Sequence, residues 1–314
     1  MVDRRRFAGR RFRNGQRGDI VKLQEKMTAS VVRLFSQGEQ PLAETHLYPE
    51  DTGLFGPESV SWKVLGDVSS FAGGIRALLL QALHPEVAAG VADHSAYESD
   101  PLGRLNRTSL FVTTVNYGAM PEVFSAVKQV RQAHKPVSGI SQRGIAYSAS
   151  QPRLGAWVQN TLTDSFLDAY QHFCRPLESR EADQFVCEQS QIGELLGITD
   201  LPQTATDLRS WIIEHPDLEG STALDQAWKF LRTPPLQPAQ LLGYRILRNA
   251  AVATLPVSLA ELANASPRAG SIFAGQRLIS SLRWAMKQSP AWKAALDRCD
   301  VTYDESKFRS FDDN

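Results

Sequence analysis

Pro121-Glu-Val-Phe-Ser-Ala-Val-Lys-Gln-Val-Arg-Gln-Ala-His134 repeats its apolar residues with the period of an α-helix. Val123, Val127 and Val130 stand four and three residues apart, and His134 follows at the next step of four, so one helical face carries three valines and an imidazole. Pro121 suits a first turn and Pro136 marks the end. The same period recurs in both directions along the chain. It predicts helices from Asp19, through Ile20, Leu23, Met27, Val31 and Leu34, to a stop at Gly38, then at 69–83, 101–117, 152–173, 179–196, 206–214, 221–231, 238–254 and 270–286. No run alternates apolar and polar residues between hairpin turns, so a sheet is at most a minor part. The expected fold is all-α, a single compact multi-helix domain over residues 19–314 behind a flexible basic tail at residues 1–18. The prolines 234, 235 and 238 are the one break that can set the last helices apart.

Composition supports a folded, soluble chain. The 314 residues are 42% hydrophobic and 22% charged, near globular averages. Lys plus Arg equals Asp plus Glu at 34 each, which excludes the global positive field of a dedicated nucleic-acid binder. The first 18 residues nevertheless hold seven arginines against Asp3 alone. They lack the apolar segment of an export signal, so cytoplasmic residence is expected. Cys174, Cys187 and Cys299 have no CxxC or CxxCH spacing, which argues against a zinc ribbon or covalent c-type haem and for reduced thiols. The most apolar stretch, 75–91, is interrupted by Arg76, Gln81, His84 and Glu86, so no membrane span is expected.

Motifs for zincin, P-loop, hydrolase-elbow and dinucleotide chemistry are all missing. His134 then has two readings: a helix-ending core histidine, or an axial ligand, since a neutral imidazole on an apolar helix face is what a buried haem iron needs. Arg104, Arg107 and Thr108 share a face at i, i+3 and i+4, with Phe111, Val112 and Val115 near it. They read as a helix start at the surface, or as a cationic cluster over a buried cofactor or anion. His84, before Pro85 at a helix boundary, reads as a capping histidine or a proton carrier. Asp164 and Asp168, sharing a face with Trp157 and Thr161, read as a solvated face or an acid–base pair.

Four ordered blocks carry a resemblance. Asp51-Thr-Gly-Leu-Phe-Gly-Pro-Glu-Ser-Val-Ser-Trp62, Gln81-Ala-Leu-His84-Pro85, Gly103-Arg-Leu-Asn-Arg-Thr108 and Arg131-Gln-Ala-His134 resemble the helical haem family of the latex-clearing rubber oxygenases and the farnesyl-chain-cleaving oxygenase of mycophenolic acid biosynthesis. The resemblance implies an all-α fold with a non-covalent b-type haem buried between helices, His134 as its proximal iron ligand, and Arg104 and Thr108 at the haem. Arg107 stands where rubber oxygenases place a lysine able to cap the distal iron. Arginine stays protonated and is a poor ligand, so an open or water-filled distal side is expected. His84 is then the distal-side candidate for proton handling. Trp157-Val158-Gln159 departs from the Trp-Val-His of many members, and glutamine does not titrate.

These readings converge on a haem-dependent oxygenase in which dioxygen or peroxide attacks a hydrophobic small molecule other than rubber. Two alternatives stand beside it: a haem sensor or carrier without activity, and a haem-free helical interaction protein.

Overall fold

A computed structural model describes residues 41–94, 101–286 and 288–300. The expected basic tail and the helix from Asp19 lie outside them. Among the described residues are thirteen α-helices: α1 (Val60–Gly66), α2 (Ser70–Gln81), α3 (Pro85–His94), α4 (Pro101–Tyr117), α5 (Met120–His134), α6 (Pro152–Phe173), α7 (Ser179–Leu196), α8 (Ala205–Ile213), α9 (Thr222–Arg232), α10 (Pro238–Ala253), α11 (Val257–Leu262), α12 (Ser271–Met286) and α13 (Pro290–Arg298). A short 3-10 helix at Thr45–Leu47 and a hairpin of β1 (Ser138–Ile140) and β2 (Ala146–Ser148), paired Ser138 to Ser148, complete the described elements. The fold is all-α, as the periodicity predicts. No described helix is long and apolar enough to cross a membrane.

Proline placed at the first turn starts α5, α6, α10 and α13, where its missing N–H costs nothing. Two further starts, α1 and α9, and that of α13 as well, are capped by a serine hydroxyl accepting from the third residue on, at Ser59, Ser221 and Ser289. The start of α5 is held by carboxylates: Glu122 accepts from Ala119 N at 2.8 Å, and Asp51 from Met120 N at 3.1 Å. Negative charge there also suits the helix dipole.

The central contact is α2 against α6, with α10 also packed on α2 and α12 on α10 and α6. The proline cluster therefore does not detach the last helices, because α10 returns to the core. Leu79, Leu80, Leu83, Trp157, Phe166, Phe185, Leu208 and Ile212 fill the main apolar cluster. Gly73 permits the α2–α6 approach, since a Cβ there would stand 2.8 Å from the Phe166 ring.

Buried charge sits in the same interface. Arg76 is fully buried; its NH1 donates to Asp164 at 2.6 Å and Ser165 at 2.9 Å, and its Nε lies 3.3 Å from Asp168. Arg209 from α8 closes the group at 3.1 Å to Asp164 and 2.5 Å to Asp168. Asp164 and Asp168 are thus not a solvated face. Two carboxylates facing two guanidiniums make a neutral buried network.

Gly53 shows where side-chain volume is excluded at the α4–α5 connection. Its φ is +69°, and a Cβ would meet Gly118 O at 2.1 Å. Gly53→Ala is expected to cost on the order of 2–3 kcal/mol, from left-handed strain and displacement of the connection. A lowered urea midpoint at unchanged slope checks this.

Candidate functional site

Helices α4 and α5 form a hairpin through Gly118 and Ala119. Val115 of α4 and Val123 of α5 share an apolar cluster, and so do Phe111 and Val127, each pair lying about equally far from the connection. Continuing this antiparallel pairing brings Thr108 and Arg107 level with Val130, and Arg104 level with His134. Arg104, Arg107, Thr108 and His134, four of the residues singled out in the sequence, therefore belong to one end of one hairpin, the end away from Gly118 and Ala119.

That end has an unusual surface. Leu105, Leu110, Phe111, Val112 and Val130 are only partly covered by protein, although four of them lie mid-helix in α4. Arg104 is half-buried, while Arg107 and Thr108 are exposed, and the Thr108 hydroxyl donates back to Arg104 O at 3.1 Å. His134 is exposed as a residue, yet desolvation by the chain around its ring lowers its pKa, which favours the neutral imidazole. Its backbone is fixed by the turn in which Val137 N donates to His134 O at 3.1 Å. Behind that turn, His94 Nε2 meets Ser138 O at 2.8 Å, which ties the end of α3 to β1.

His84 is elsewhere. It precedes α3, whose ten residues separate its two ends by about 15 Å. The sequence reading of a helix boundary there holds, because His84 O accepts from Ala88 N at 2.9 Å as α3 begins. The ring is fully buried and faces a second cluster that the sequence reading did not assemble. His215 and Asp217 from the turn after α8 approach it, with ring centroids of His84 and His215 5.3 Å apart and Asp217 Oδ2 4.0 Å from His84 Nε2. Trp157 and Trp211 each lie 4.9 Å from the His215 ring. Glu86, fully buried, accepts from Ser141 Oγ at 2.7 Å and Arg143 NH2 at 2.6 Å. Burial is the main influence on His84, and with His215 beside it the pKa is pushed down to about 4. The one sequence signal was a repeat: His84-Pro85 and His215-Pro216.

Gln159, the departure noted in the sequence, is buried and donates to Gln189 O at 2.9 Å, a structural bond within the α6–α7 contact.

A family model described as "ER-bound oxygenase mpaB/B'/Rubber oxygenase, catalytic domain" matches residues 62–284, from α1 through most of α12. No curated protein and no solved structure matches the chain.

Proposed function

The chain belongs to the mpaB/B' and rubber oxygenase catalytic-domain family, and from that membership we propose a haem-dependent oxygenase acting on an apolar small molecule, with His134 as the axial ligand. The observation that supports this reading is the open end of the α4–α5 hairpin. A b-type haem is a flat apolar ring with two carboxylates, and this surface offers a neutral imidazole, two guanidiniums and half-covered apolar side chains that include Phe111 on the arginine face. The donor set fits the group. Bound there, a haem supplies the dioxygen or peroxide chemistry that no side chain has.

The chain's own residues have separable tasks. His134 anchors the cofactor from α5. Arg104 and Arg107 present fixed positive charge to carboxylates or to a polarised oxygen. Phe111, one turn on from Arg107 and Thr108 on the same helix face, supplies apolar surface beside them, which suits a hydrophobic substrate. His84, the distal proton carrier expected from the resemblance, lies at the other end of α3 from the contact between His94 and Ser138, so direct proton transfer to that substrate site is not part of this reading. The three cysteines are free, the state a reducing compartment maintains, which supports a cytoplasmic placement.

An absorption spectrum of the purified protein tests the proposal. A Soret band that shifts on reduction with carbon monoxide is expected, whereas a colourless protein that takes up no added haem would overturn it. Arg107 gives a second expectation. Arginine does not deprotonate in proteins, so ferric protein is expected to bind imidazole or cyanide readily. Arg107→Lys offers an amine that can lose its proton when desolvated, and is expected to slow that binding. Equal rates in the two proteins would show that Arg107 does not approach the iron.

A further inference from the structure

The cluster around His84 is chemically complete in a way that packing does not require. One potential ligand atom from each of His84, His215 and Asp217 lies within 4.8 Å of the other two. The pieces come from two distant segments, clamped together where Glu219 N donates to Leu83 O at 3.1 Å. We propose that His84, His215 and Asp217 form a binding site for a divalent transition-metal ion of the zinc, cobalt or iron type, separate from the α4–α5 hairpin.

The orientation of His84 is the first support. Its Nε2 faces Asp217, while Nδ1 lies 3.4 Å from Glu86 Oε2. That Nδ1 is buried and makes no hydrogen bond, on a side chain only 1% exposed. Tilted and edge-on contacts with Trp157 and His215 account for the ring's burial but leave this polar atom unexplained. A histidine ligating through Nε2 turns its Nδ1–H to a carboxylate, which fixes the ring and raises its basicity. Glu86 is in position for this role, and Ser141 and Arg143 hold it in turn.

Charge and access are the second support. Arg143 and Arg153 also face the site, their NH2 and NH1 atoms each 3.8 Å from an Asp217 oxygen, and Glu219 lies 3.8 Å from Arg143. With Asp200, which accepts from Trp211 Nε1 at 2.8 Å, the carboxylates Glu86, Asp217 and Glu219 outnumber the two guanidiniums, a surplus of negative charge that favours a cation. Trp157 and Trp211 wall one side, whereas the Asp217 side chain is 39% exposed and opens the other to solvent. Three protein ligands with an open side leave room for water or a small ligand. Tetrahedral coordination at about 2.1 Å needs donor atoms roughly 3.4 Å apart, so the ligands must close by about 1 Å. A rotamer change of the part-exposed Asp217 side chain is the adjustment open to the cluster. Two nitrogens and one carboxylate favour transition metals over calcium or magnesium.

The test uses the full chain, stripped with a chelator, dialysed and titrated with Co²⁺, followed by visible absorption and by metal content. One Co²⁺ per chain, displaced by Zn²⁺, with a raised thermal midpoint, is expected. Asp217→Asn and His215→Gln change partly exposed side chains, and circular dichroism verifies that each folds. Each should weaken Co²⁺ binding roughly tenfold or more, while His134→Ala leaves it unchanged. Wild-type protein that binds no stoichiometric Co²⁺ or Zn²⁺ overturns the proposal. So does undiminished binding by both folded variants, or loss of binding in His134→Ala.

Discussion

Asp168→Asn is expected to lower stability by about 3–5 kcal/mol, the usual cost of removing one partner from a buried ion pair. The loss comes from what is left behind. Arg76 has no exposed surface, and with Asp168 neutral only Asp164 remains to balance Arg76 and Arg209. Burial alone would push the Asp168 carboxyl up; Arg76, the hydrogen bond with His172 and Arg209 outweigh it and hold the group far below the usual carboxylate range. The folded pKa is depressed, so this stabilisation is present above about 3.8 and is lost as pH falls towards the folded value. Urea unfolding at pH 7 should show the full gap between wild type and variant, and the gap should narrow in acid. Arg76→Met combined with Asp168→Leu removes one charge of each sign, leaves Asp164 facing Arg209, and should recover much of the loss. A double variant as unstable as the sum of the singles would mean that packing, not uncompensated charge, sets the effect.

This network also shows what the sequence cannot convey. The i, i+4 spacing of Asp164 and Asp168 is visible in a string of letters, and so is the lone Arg76 in an apolar run. Their meeting depends on which face of α2 docks on α6, a tertiary choice made possible by Gly73. Helices with long periodic runs were legible to the residue: α4, α6 and α7 begin and end where the pattern predicts. The elements missed are short. For α1, α3, α11 and α13, six to ten residues hold too few repeats to establish a period, and Pro85 and Pro290 start helices as readily as they stop them. Strands of three residues, β1 and β2, leave no alternation to detect.

The two histidine sites divide along the same line. Arg104, Arg107, Thr108 and His134 can be placed relative to one another by counting residues on either side of the α4–α5 connection, a local relation that the sequence carries. His84, His215 and Asp217 cannot, since nothing local says that the turn after α8 folds back on the start of α3. Two His-Pro pairs were the only trace.

His134→Ala is expected to abolish haem retention or reduce it several-fold, the largest functional effect in this chain under the proposed reading. The imidazole is the only described histidine at the open hairpin end that combines access with a lowered pKa; His94 at the neighbouring end of α3 is engaged with Ser138 O. Its removal takes away the iron ligand and leaves the flanking apolar side chains to hold the ring alone. The protein itself should not suffer, because an exposed side chain at a helix end contributes little to stability. Circular dichroism and the urea midpoint should therefore match wild type while the Soret absorbance disappears. Added imidazole is small enough to enter the space left by the truncation, and it should restore part of the absorbance with a nitrogen-ligated spectrum. A variant that keeps full haem content and an unchanged spectrum would move the axial ligand away from α5. Loss of haem together with unfolding would instead make His134 a structural residue, and Phe111→Asp on the facing helix then separates the two cases: it disrupts the apolar bed for the ring without touching any imidazole, so haem loss from a folded Phe111→Asp protein places the cofactor on this hairpin whichever histidine ligates it.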